Sequence, residues 1–154
     1  MKKILSVILL GLCLSANSQT KKTQLFYENF GGVSVYQEKI QDEVTGINVI
    51  TKLFFQDVRY TAISNVKFIF IHNKKDFELF ISDLESALAF SKSGEKSVME
   101  YSDKIRKYKV TADGGNGRIT LWSFEDAEGL TFVHPKKVVK LIEALNGIKD
   151  NYDK

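Results

Sequence analysis

The chain has 154 residues, of which 44% are hydrophobic, 12% aromatic and 27% charged, with one proline and one cysteine. This composition excludes an intrinsically disordered chain, which lacks aromatic residues, and a disulfide-stapled miniprotein, which needs several cysteines. The length suits a single domain with a full hydrophobic core. The formal net charge is +3, and part of it lies in the first eighteen residues.

The N-terminus has the pattern of a secretory signal peptide. Two lysines after the initiating methionine precede an apolar run of about eleven residues, and the small residues Ala16 and Ser18 occupy the −3 and −1 positions of a cleavage site before Gln19. The apolar run is shorter than the roughly 20 residues of a transmembrane helix. We therefore predict a signal peptide over residues 1–18 and an exported protein, periplasmic or extracellular. The opening resembles that of small exported proteins of Gram-negative bacteria.

Two alternatives remain for this segment: an uncleaved N-terminal anchor, and lipidation of Cys13. Leu12 precedes that cysteine where a lipoprotein signal has a small residue, which disfavours lipidation. Cleavage after Ser18 would leave 136 residues with 20 basic and 19 acidic side chains, no cysteine and a net charge of +1. Disulfides, thiol catalysis and cysteine-ligated metals would then be excluded.

The first half of the remaining chain is expected to be a polar, flexible lead-in followed by strands and a helix. The lead-in covers residues 19–30, and a single α+β domain covers residues 31–154. Runs of β-branched and aromatic residues predict four strands, at residues 33–40, 47–55, 59–64 and 66–71. Asn73 is a plausible N-cap for the helix that follows, whose apolar positions have helical spacing: Phe77, Phe80, Ile81, Leu84 and Leu88.

The second half repeats this plan. Strands are predicted at residues 98–105, 107–112, 118–124 and 130–134, with an Asn-Gly hairpin turn over residues 113–117. Pro135 is expected in the first turn of a second helix, whose apolar positions are Val138, Leu141, Ile142 and Leu145. The residues at 70–75 align with those at 132–137 at an offset of 62.

The shared order of elements predicts an α+β fold in which antiparallel sheets pack against two helices as a duplicated ββββα unit. The pseudo-repeats cover residues 31–91 and 92–150. Chance similarity between two strand-to-helix junctions is the alternative explanation.

The chain has two histidines, His72 and His134, at equivalent positions of the two repeats. Either they meet and bind a metal or act as a base, or each satisfies backbone groups at a helix entrance. Two histidines without spaced carboxylates or cysteines form a weak metal motif, so we favour the second interpretation and predict no metal and no cofactor. The sequence has no nucleophile motif, and we predict that the protein is not an enzyme.

The second-half hairpin supplies the candidate binding surface. If Lys109 lies opposite Thr120 and Lys107 opposite Trp122, the apolar residues share one face, and the other face carries cations and one large aromatic ring. Such a face suits stacking on a base, a sugar or an aromatic ligand. The alternative is that Trp122 is covered by the first sheet or by a second subunit. The candidate ligand-binding residues are Lys107, Lys109, Arg118, Thr120 and Trp122.

The predicted chain contains two copies of a unit of four antiparallel strands followed by a helix. This architecture resembles the whirly and positive-cofactor types of single-stranded nucleic-acid-binding fold. The comparison rests on the hairpin from Lys107 to Phe124 and on the strand-to-helix passage from Leu130 to Ile142. It would imply binding of single-stranded nucleic acid. Export and a near-neutral charge oppose that function, because counterion release needs many cations.

The most favoured function is therefore an exported, non-enzymatic binding or protein-interaction module, and the alternative is a single-stranded nucleic-acid-binding protein. Expected partners are a protein or a small ligand, with a homodimer also considered. Nucleic acid is disfavoured as a partner, and no membrane span is expected after cleavage.

Overall fold

The computed structural model describes residues 20–60, 65–103, 107–125 and 128–153. This part of the chain contains two four-stranded antiparallel sheets, each with its strands in chain order, and two α-helices. The first sheet consists of β1 (Lys21–Asn29), β2 (Val33–Asp42), β3 (Gly46–Gln56) and β4 (Val66–Ile71). The second consists of β5 (Val98–Asp103), β6 (Tyr108–Asp113), β7 (Arg118–Ser123) and β8 (Gly129–Val133). The helices are α1 (Lys74–Phe90), after the first sheet, and α2 (Pro135–Ile148), after the second.

The predicted α+β class is confirmed, and the element order is consistent with a duplicated ββββα unit. The first unit, however, reaches four strands in a different way. Residues 21–29, expected to be a flexible lead-in, form β1, while Arg59 lies in the β3–β4 connection and residues 61–64 lie outside the described residues. β1 escapes sequence detection because its side chains are nearly all exposed and show no apolar alternation. Its backbone pairing with β2 defines the strand. The predicted signal peptide also lies outside the described residues.

The central hairpin of each sheet is closed by the same chemistry. Asp42 accepts the N–H groups of Val44 and Thr45 at 2.8 and 2.9 Å, and Asp113 accepts those of Gly115 and Asn116 at 3.0 Å each. Four residues after each aspartate comes a glycine with positive φ, 77° in the first turn and 62° in the second. In the second turn the Asn116 side chain also donates to Asp113, and these hydrogen bonds hold the pKa of Asp113 below its ordinary value.

Both helices begin at the predicted residues. The Asn73 side chain accepts the Asp76 N–H at 2.9 Å at the start of α1, and Pro135 opens α2. The predicted apolar stripes face the core: eight of the nine residues are buried and Leu88 is half-buried. Ala87 and Ile148 join them. The helices therefore cover one side of the sheets.

α1 packs on β5 and β6, which belong to the second unit. The Phe80 ring meets the Tyr108 ring edge-on, with centroids 5.0 Å apart, and the Tyr108 hydroxyl donates to Asp83 at 2.9 Å. The 3₁₀ turn Lys149–Asp153, which continues α2, packs in turn on β3 of the first sheet. Since α1 and α2 also pack on each other, the buried apolar residues of both units form one core.

A polar clamp joins the two units at the β3–β4 connection. Asp57 is fully buried and forms a two-pronged pair with Arg59, whose guanidinium also reaches Glu128 just before β8. The Val58 N–H donates to the Leu130 carbonyl at 3.0 Å. The hydrogen bonds from the Arg59 side chain lower the pKa of Asp57 despite its burial.

Replacing Asp57 with alanine is expected to lower the free energy of unfolding by about 1–3 kcal/mol, because the Arg59 guanidinium and backbone N–H lose the carboxylate to which they donate hydrogen bonds. Urea unfolding at pH 7 measures this loss. Since the pKa of Asp57 is lowered in the folded protein, its contribution is present above its ordinary pKa of 3.8 and disappears as pH falls through the folded value. The difference between wild type and Asp57→Ala should therefore shrink in acid. An equal loss in Asp150→Ala, at the exposed C-terminal turn, would contradict this account.

A buried polar network anchors the C-terminus to the first sheet. Gln37 is fully buried; its amide donates to Thr51 at 3.1 Å and accepts from Asn151 at 2.7 Å. The Tyr152 hydroxyl forms hydrogen bonds with the Thr51 hydroxyl at 2.8 Å and with the Ile71 carbonyl at 3.0 Å. Burial raises the pKa of Tyr152 to about 12.

Tyr152→Phe is expected to cost about 1 kcal/mol of stability at pH 7, through loss of the hydroxyl hydrogen bonds. A pKa raised in the folded state means that this stability is present below the unfolded value of 10 and is lost as pH rises toward about 12. The advantage of wild type over Tyr152→Phe should thus decline between pH 10 and pH 12 in urea unfolding experiments. Val139→Ala, on the exposed face of α2, serves as the control. A wild-type advantage that does not change with pH would contradict the assignment.

Candidate functional site

The predicted binding hairpin exists, with a register two residues away from the expected one. Lys109 lies opposite Trp122 and Thr111 opposite Thr120. The expected pairs, Lys109 with Thr120 and Lys107 with Trp122, are therefore wrong. The cause is the Asp113 turn, which keeps Asp113 in β6 opposite Arg118 and places the loop at residues 114–117. Because side chains alternate with a period of two, a shift of two leaves every residue on its predicted face.

The apolar face of this hairpin is buried in the core, and the opposite face lies outside it. On the outer side Lys109 and Trp122 are half-buried and Arg118 is exposed, whereas Thr120 is only 7% exposed. Lys107 precedes β6 with a left-handed backbone (φ 52°), and its ammonium group lies 3.1 Å from Glu125. The structure thus brings four of the five predicted residues onto the strands of one sheet face and places Lys107 at its margin.

The cations of this face lie over aromatic rings. Lys109 Nζ is 4.6 Å from the Trp122 ring centroid and 3.3 Å from the Glu100 carboxylate. The Arg118 guanidinium is 4.6 Å from the centroid of Phe132, which is 49% exposed. We call Lys109, Thr111, Arg118, Trp122 and Phe132 the Trp122 face. Its positive charges are partly balanced by a carboxylate and by the rings themselves.

A second aromatic surface, which sequence reasoning missed, lies on the first sheet. On the side of the sheet opposite the core, stacked or tilted rings follow one another at centroid separations of 5.9–6.3 Å. We call this set the aromatic row, which consists of Tyr27, Phe54, Phe68, Phe70 and His72. The sequence predicted a strand at residues 66–71 and did not separate its two faces, so the row was not recognised. The available signal was the aromatic ring at every second position from 68 to 72.

The aromatic row is electrically balanced. Lys52 Nζ lies 5.9 Å from the Phe70 centroid and 5.7 Å from that of Tyr36. The same ammonium group pairs with Glu38, whose side chain is only 5% exposed. The aromatic row therefore presents apolar rings, and the positive charge of Lys52 beside them is neutralised by Glu38.

The two histidines have different surroundings. His134 caps α2 by accepting the Lys136 N–H on Nδ1 at 3.2 Å, as the favoured interpretation predicts. His72 is not a cap, since Asn73 fills that role. Its ring stacks on Phe70 and lines a cleft of about 220 Å³ between the two units, together with Asp76, Lys107 and Glu125. Within residues 20–60, 65–103, 107–125 and 128–153, no group of three His, Cys, Asp or Glu side chains has a metal-binding arrangement.

Comparison with known proteins found no match among protein-family models, curated proteins or solved structures. Neither α1 nor α2, the two α-helices of the described part, is long and apolar enough to cross a membrane.

Removing the Lys109 side chain is expected to expose the indole ring that its ammonium group covers. Trp122 is the only tryptophan of the chain, so its emission reports on this face alone. We expect stronger acrylamide quenching of Trp122 in Lys109→Ala than in wild type, and wild-type quenching in Lys140→Ala, on α2. Equal quenching in wild type and Lys109→Ala would show that the contact is not maintained in solution.

Proposed function

We propose that the protein is an exported, non-enzymatic binding module that recognises a polypeptide through the Trp122 face. The observation that carries this proposal is the half-buried Trp122 beside Lys109, with the exposed Phe132 beside Arg118, on a sheet face that lies outside the core. Aromatic and arginine side chains supply most of the binding energy in protein interfaces. Export is supported by the signal-peptide pattern of residues 1–18.

A polypeptide suits this face better than a nucleic acid. Lys109 pairs with Glu100, and Asp113 lies opposite Arg118 in the strand register, so the two cations do not form an uninterrupted basic track. The ring faces of Trp122 and Phe132 are occupied by their cations, whereas base stacking needs open ring faces. Acidic and aromatic side chains of a peptide are able to contact the cations and the ring edges.

The test uses two probes on the full chain: a synthetic peptide that alternates glutamate and phenylalanine, and an oligothymidylate of the same length. We expect calorimetry to show peptide binding that weakens about tenfold in Trp122→Ala and in Phe132→Ala, because each removes an interface anchor. Val139→Ala is the matched control on an exposed helix face, and thermal melting checks that each variant is folded.

Peptide binding that is unchanged in both variants would contradict the assignment to this face. Tighter binding of the oligothymidylate, weakening with added salt, would instead support the nucleic-acid alternative. Phe132→Ala keeps the test decisive if Trp122→Ala destabilises the fold, since the Phe132 side chain lies at the surface.

A further inference from the structure

The outer edge of β1 is a long strand edge open to solvent. Among the residues that the structure describes, β2 is the only strand that pairs with β1. All nine residues of β1 are exposed except the half-buried Phe26. The free N–H and C=O groups of such an edge are a template for another strand.

The charges of β1 are complementary to those of a second, antiparallel copy of β1. Lys21 and Lys22 stand at its start and Glu28 near its end, so reversing the strand brings acid beside base. Opposite charges placed across from each other stabilise a strand pair, and like charges destabilise it. A two-fold axis makes each of these contacts occur twice.

The irregularity in β1 makes this complementarity geometrically consistent. The register with β2 shifts between Gln24 and Phe26, so residues before and after Leu25 change their alternation. Lys21 and Glu28, seven positions apart, therefore share the core side of the sheet, whereas a regular strand would put them on opposite sides. Lys22 and Tyr27 share the other side for the same reason.

The apolar residues of the edge complete the surface. Leu25 is 37% and Tyr27 53% exposed, and the Tyr27 ring stacks at 6.3 Å on Phe54 as the last member of the aromatic row. In the register that sets Lys21 opposite the partner's Glu28, Lys22 lies opposite the partner's Tyr27. That pair is suited to a cation–π contact.

The outer strand of the second sheet lacks this property. β5 carries two acids, Glu100 and Asp103, and no base, so an antiparallel copy of β5 would offer no acid–base pair between the two strands. Between β1 and β5, charge complementarity thus favours β1 for self-pairing.

We propose that the protein forms a two-fold symmetric homodimer by antiparallel pairing of β1 with β1 of a second copy, Lys21 lying opposite the partner's Glu28. The first sheets of the two copies then join into one sheet, in which the Tyr27 end of each aromatic row lies opposite Lys22 of the other copy. This interface goes beyond the proposed function, because it uses neither the Trp122 face nor its ligand.

The test is a charge swap on the full chain, with the dimer dissociation constant measured by sedimentation equilibrium. Lys21→Glu and Glu28→Lys, each alone, place like charges opposite each other twice and are expected to raise the dissociation constant about tenfold. The double variant Lys21→Glu/Glu28→Lys restores the opposite pairs and should return to the wild-type value. Lys140→Glu, on α2, is the matched control for net charge, and circular dichroism checks that each variant is folded.

A wild-type protein that stays monomeric at all accessible concentrations would overturn the proposal. So would a dimer that the single variants do not weaken, or one that the double variant does not restore. Trp122→Ala should leave the dissociation constant unchanged, which separates this result from the proposed binding function.

Cysteine cross-linking tests the register in a Cys13→Ser background. Lys22→Cys/Tyr27→Cys is expected to give disulfide-linked dimers on mild oxidation, because these positions lie directly opposite each other. Gln24→Cys/Tyr27→Cys, the control, places its thiols two positions out of register. Preferential cross-linking of the control pair would contradict the proposed register.

Discussion

The edge-on contact between Phe80 of α1 and Tyr108 of β6 joins the two repeats, because it places the first unit's helix on the second unit's sheet. An antiparallel sheet must bury one face, and the helix that follows the first sheet serves this purpose for the second. The 3₁₀ turn after α2 meets the first sheet through Tyr152 and Gln37. Each unit therefore depends on the other for its core.

The packing of each unit against the other also determines which sheet surfaces remain outside the core. With both helices against the core, the opposite sides of the sheets carry the Trp122 face and the aromatic row. Their charges are arranged in local pairs, Lys109 with Glu100 and Lys52 with Glu38, so that large apolar rings lie at the surface beside compensated charge. Exposed apolar rings of this kind mark candidate interaction surfaces.

Sequence patterns predicted most of the secondary structure because helical spacing and turn chemistry are local. The Asn73 cap, the Asp113 turn and the apolar stripes of both helices each follow from a few neighbouring residues. β1 was missed since its stability comes from pairing with β2 and not from its own side chains. The hairpin register was off by two because the start of the Asp113 turn depends on which N–H groups the carboxylate accepts.

The candidate site was predictable in part for similar reasons. Alternation placed Lys109, Arg118 and Trp122 on one face without the correct register. Lys109 contacts Glu100 and Arg118 contacts Phe132. These two neighbours lie on other strands, β5 and β8, whose pairing the sequence does not specify. The aromatic row needs three strands brought together by the sheet. The spacing of residues 68–72 alone is a signal for only part of it.

Native-state hydrogen exchange tests the shared core most directly. The amides of Val35 and Leu53 report on the first sheet, and those of Val110 and Leu121 on the second. If the two units fold as one, all four should exchange with opening free energies that agree within about 1 kcal/mol and fall together when denaturant is added. Two separate values, one for each sheet, would show that the units open independently and would contradict the shared core.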